Sequence, residues 1–238
     1  MAHKIRFGSH ILPGLIFLIG CLGLLWGITN VARGATSDAL FDLEAKLLKF
    51  ETFNRTTAAT TLDGTTARDL EACDTHSQRA LLLLEIPLAD AALRSGAVQE
   101  FDLRSGALET RAQQTLSCAP RDSLVWLLLF GLKNEHGLLD ERTFDLLKMS
   151  YETSPNEAWI AVRRVVVAVP TILSAPEAVR ELVLAEFQAL VRRGFVETPA
   201  LAYFSAPPQV RSMLQSRLDQ LDASERAGFT RAVEKLKS

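Results

Sequence analysis

From Ile11 to Thr29 the chain reads ILPGLIFLIGCLGLLWGIT, 19 residues without a charge. Beyond Thr66 the pattern changes: apolar residues recur three and four positions apart, broken by proline, glycine and Asp/Ser starts. A helix rising 1.5 Å per residue needs about 20 residues to cross roughly 30 Å of hydrocarbon, so the first run predicts a transmembrane helix over 11–31. Pro13 falls in a first turn, where a missing N–H costs little, and Trp26 lies near the far end, where an indole prefers the interface. Lys4 and Arg6 precede the run, whereas only Arg33 follows it before Asp38, Asp42 and Glu44. The positive-inside bias therefore keeps residues 1–10 in the cytoplasm and sends the remainder across.

Two other readings of the run stay open. A cleaved signal peptide has a shorter apolar core and an Ala-x-Ala-like site, for which Ala32-Arg33-Gly34 is a poor match. Leu18-Ile19-Gly20-Cys21 resembles a lipoprotein processing box, but Leu22 to Trp26 stay apolar where a lipoprotein has a polar tether. Within the helix, Gly20, Gly23 and Gly27 share one face, and Gly23 and Gly27 form a GxxxG pair that lets two backbones approach. A homodimer through this face is one expectation; the plainer one is that glycine is common in membrane helices.

Residues 32–65 read as an amphipathic stalk, with Leu40, Leu43, Leu47, Leu48 and Phe50 near helical spacing, followed by a Thr-rich linker, TTAATTLDGTT, that lacks helical periodicity. Residues 66–238 read as a helical domain: the pattern predicts helices over 66–72, 76–95, 99–117, 121–135, 140–152, 156–173, 176–193, 197–205, 207–220 and 223–236. Pro87 and Pro170 are expected to kink or end their helices. Trp159, Val162, Val166 and Val169 line one face of the 156–173 helix.

The fold class is therefore all-α. Short helices joined by tight turns must bury their faces against neighbours, which points to stacked helical hairpins. Pro120 and Pro155 are 35 residues apart, and with Trp126, Gly131, Phe144 and Tyr151 the segment 120–175 resembles the tetratricopeptide repeat, whose period is 34 residues. The alternative is an irregular helical bundle.

Composition narrows the functional classes. Across 238 residues, 48% are hydrophobic and 23% charged, enough apolar material for a packed core. A net charge of -2 argues against a polybasic nucleic-acid binder. From Gly34 onward there are 23 Lys/Arg and 28 Asp/Glu, a net of -5, which does not favour a polyanionic glycan. Abundant Leu, Ala, Arg and Gly suggest a bacterial chain, so the exported space is read as periplasm. In that oxidising space Cys73 and Cys118, the two cysteines outside the apolar run, are expected to form a disulfide; two separately buried thiols are the alternative. His3, His10, His76 and His136 are scattered without metal-ligand spacing, so neither a metal nor a cofactor is expected.

Few residues suggest chemistry. Glu135, His136 and Asp140 could form an acid/base cluster, but before Gly137 they fit helix capping better. Trp126 and Trp159 could stack on sugar rings, although core packing is the plainer expectation. Arg163-Arg164 and Arg192-Arg193 could grip a partner or an acidic glycan, against the plainer reading of a solvated face. There is no GxSxG, HExxH, GxxxxGK[ST] or glycine-rich dinucleotide turn.

The apolar run, Cys73, the segment Cys118–Trp126 and the stretches Met149–Tyr151 and Pro155–Ile160 together resemble a little-characterised group of bacterial membrane-anchored helical proteins. That group is associated with exopolysaccharide or surface-polysaccharide production. The resemblance implies a setting and supplies no catalytic residues. The expected protein is a non-catalytic scaffold or accessory, single-pass in the inner membrane with its C-terminal domain in the periplasm, binding other envelope proteins and no nucleic acid. The alternative is a polysaccharide-binding or polysaccharide-modifying protein.

Overall fold

The computed structural model describes residues 11–48, 55–64, 70 and 73–237, all as helix, turn or coil with no strand among them. The chain divides into two compact units, residues 1–84 and 85–238.

In the first unit, α1 (Ile11–Leu48) runs for 38 residues without a break, and α2 (Arg55–Asp63) follows. Among the described residues no helix is long and apolar enough to cross a membrane. The described side chains of the charge-free run extend from Gly14 to Ile28, about 22 Å of helix at 1.5 Å per residue. Leu15 to Ile19, Leu22, Leu24 to Trp26 and Ile28 are each more than half exposed. Further along α1, Leu40 and Glu44 are buried. The Glu44 carboxylate accepts from Arg79 Nε and lies 3.2 Å from His76 Nδ1.

The Thr-rich linker expected before residue 65 is instead helix α2. Thr60 and Thr61 donate their hydroxyls to the Thr57 carbonyl at 3.0 and 2.8 Å, and Ala58 is buried. Threonine hydroxyls bonded back to a preceding turn are compatible with helix, so composition here concealed it. The predicted helix over 66–72 lies mostly outside the described residues.

α3 (Thr75–Arg94) crosses the boundary between the units and continues through Pro87, which is exposed. Of the two outcomes expected at Pro87, a kink or an end, the helix does not end there: the proline faces solvent, where water can serve the carbonyl it leaves unbonded. Cys73 and Cys118 stand at disulfide distance and are paired, while Cys21 is free.

The second unit continues with α4 (Val98–Cys118), α5 (Ser123–Glu135), α6 (Glu141–Thr153), α7 (Ala158–Ala168) with a 3-10 turn at Val169–Thr171, α8 (Glu177–Arg192), α9 (Glu197–Ser205), α10 (Pro208–Leu218) and α11 (Ala223–Lys237). Local chemistry sets most of these ends. Asp122 caps α5 by accepting from the N–H groups of Leu124 and Val125, and Asp140 caps α6 through Thr143. α3, α5 and α8 each stop at a glycine with positive φ (Gly96, Gly137 and Gly194), where the following N–H returns to a carbonyl of the last turn. Pro170 ends the α-helical part of its segment, as expected, and the chain tightens into the 3-10 turn.

Packing runs between sequential helices and between next-but-one helices: α4 with α5, α5 with α6, α7 with α8, then α5 with α7, α6 with α8, α7 with α9, α8 with α10 and α9 with α11. α11 also returns onto α8, which departs from a strictly repeating stack. Phe130 packs against Phe144 at 5.7 Å between ring centroids, and Phe229 meets Phe187 and Tyr203 edge-on at 5.8 and 5.6 Å. Edge-on pairs of this kind favour the fold beyond the area they bury.

Candidate functional site

α7 positions the one buried guanidinium among the described residues. Its buried stripe is Ile160, Ala161, Arg164, Val165 and Ala168, spaced one and three residues apart around one helical face. This face is rotated from the one the sequence suggested: Val166 is exposed and Trp159 and Val162 are half-buried. Arg164 therefore points inward, with its side chain 0% exposed, and not onto a solvated face.

Inside, Arg164 has partners on α8 and at the end of α6. Its Nε lies 3.0 and 3.2 Å from the two carboxylate oxygens of Glu186 on α8, and Nη2 donates to Glu186 Oε1 at 2.5 Å. Nη1 donates to the Ser150 carbonyl at 2.8 Å and Nη2 to that of Ser154 at 3.0 Å, so the guanidinium also satisfies the otherwise unbonded end of α6. The guanidinium carbon stands 4.5 Å from the centre of the Tyr151 ring. A buried cation is costly unless it is both paired and hydrogen-bonded; here both conditions hold.

Beside this cluster lies a cavity of about 240 Å³, where the end of α6 and the start of α7 face α8. Ala158, Ala161, Ala185 and Ala189 leave the space open because their side chains end at Cβ, and Tyr151 and Glu186 supply its polar groups. The Tyr151 hydroxyl is buried beside the Glu186 carboxylate but closes no hydrogen bond of normal geometry. Burial, and then the Glu186 charge, push the hydroxyl well above its usual pKa, so it stays protonated. Burial raises the Glu186 carboxyl while Arg164 pulls it down, burial being the larger effect. At the rim Arg193 is exposed, and neither its guanidinium nor the Asn156 amide has a partner among the described residues.

The other candidates from the sequence are dispersed. Trp126 is half-buried, its indole N–H donating to the Pro120 carbonyl at 2.9 Å. Trp159 is half-buried as well, with Nε1 2.5 Å from Glu157 Oε2 and the Arg163 guanidinium 5.9 Å from its ring. Arg192 pairs with Glu225 at 3.3 Å. Glu135, His136 and Asp140 do not assemble: Asp140 caps α6, His136 forms the C-cap of α5, and its ring packs 5.1 Å from Phe101. Gly20, Gly23 and Gly27 each have open space where a Cβ would stand. Among the described residues no group of His, Cys, Asp and Glu could hold a metal ion.

Glu186 was not singled out from the sequence, and Tyr151 and Asn156 entered only through the repeat pattern and the family resemblance, not as candidate site residues. The signal for Arg164 was present, since it lies four residues from both Ile160 and Ala168 in an apolar stripe. Its carboxylate partner, 22 positions away, carried no comparable signal. Compared with protein families, curated proteins and solved structures, the chain has no significant match.

Proposed function

We propose that this protein is a membrane-anchored scaffold of the bacterial envelope, whose tetratricopeptide-like helical domain stands in the periplasm and binds partner proteins in polysaccharide assembly or export. The observation that carries the reading is the charge-free run of α1, whose described large apolar side chains are all turned outward. Such a surface is unfavourable in water by about 25 cal/mol per Å² and is relieved in lipid. Two features add support. The Cys73–Cys118 pair suits an oxidising compartment, and packing between sequential and next-but-one helices suits stacked hairpins that present an extended face. Confinement to a membrane would raise the local concentration of such a face toward its partners.

The polysaccharide-binding alternative calls for a groove lined by exposed aromatic rings. The one aromatic side chain lining the cavity, Tyr151, is buried, which favours the scaffold. An alkaline phosphatase fused after Ser238 is expected to be active in cells, and crosslinking in intact cells is expected to attach envelope proteins to the chain. A dark fusion beside an active control would overturn the anchor. Glycan-array binding with no protein crosslinked would overturn the scaffold.

A further inference from the structure

We draw no further inference here: the strongest candidate, the alanine-lined cavity between α6, α7 and α8, has its buried polar groups turned to one another, Glu186 paired with Arg164 and the Tyr151 hydroxyl against that carboxylate, and nothing in the structure shows what covers its apolar remainder.

Discussion

Arg164 and Glu186, on helices α7 and α8, form an ion pair with the guanidinium fully buried and Nη2 2.5 Å from Oε1. Because the same guanidinium bonds the Ser150 and Ser154 carbonyls, the pair ties three helices together. Removing one member leaves the other charge buried and unpaired. Glu186→Ala is therefore expected to destabilise the protein by about 3–5 kcal/mol. Arg164→Met with Glu186→Leu, which removes both charges, is expected to recover most of that loss. Urea unfolding followed by circular dichroism measures both, and a double variant as unstable as the single one would contradict the account.

The Cys73–Cys118 pair makes a countable prediction. Denatured without reductant, the chain is expected to expose one reactive thiol, Cys21, and after reduction three. The bridge closes 45 residues of chain, so Cys73→Ser is expected to cost about 4 kcal/mol by the chain-entropy relation. Three thiols before reduction would remove the disulfide and the support it lends to a periplasmic location.

Acid sensitivity follows from two helix caps. The Thr143 backbone N–H and hydroxyl hold the Asp140 carboxyl below its usual range, and the Ser224 hydroxyl and Glu225 N–H do the same for Asp222. A carboxyl depressed in the folded state contributes stability above its unfolded value, about 3.9, and loses it as pH falls through the folded value. Asp140→Asn with Asp222→Asn keeps acceptors at both caps but cannot titrate there. The double variant is expected to show a flatter fall of melting temperature below about pH 4, and an unchanged slope would refute the caps as its source.

Gly137 ends α5 with φ at +71°, where its N–H and that of Leu138 return to the Asn134 and Lys133 carbonyls at 2.8 and 2.9 Å. Nothing stands near a Cβ there, so strain of the left-handed backbone is the whole effect expected. Gly137→Ala should lower stability by about 1 kcal/mol, read as a shift in urea midpoint. A neutral or stabilising result would mean that this turn relaxes when substituted.

The three glycines of the apolar run give a binary outcome. If two copies associate through Gly20, Gly23 and Gly27, then Gly23→Leu with Gly27→Leu is expected to abolish the signal in a membrane two-hybrid assay, because backbones can no longer approach closely. An unchanged signal excludes this face as the contact.

Local chemistry determined much of the architecture. Asp122, Asp140, Gly96, Gly137, Gly194 and Pro170 punctuate the chain, and the helices from Thr75 onward begin and end within a few residues of where that punctuation places them. Caps and left-handed glycines act over one turn, so their effect is legible without knowing the fold. The Thr-rich α2 was not legible, because threonine is a weak helix former by propensity, and the hydroxyl bonds to the Thr57 carbonyl and the burial of Ala58 exist only in the folded chain. Nor was the direction of α7. Arg164 lies in an apolar stripe but next to Arg163, so its spacing alone did not decide between core and surface, and its burial depends on Glu186 and on the Ser150 and Ser154 carbonyls that arrive only when three helices pack. Charge identity is written in the chain, but whether a charge meets water or a counter-ion depends on long-range contacts, and those the tertiary structure alone decided.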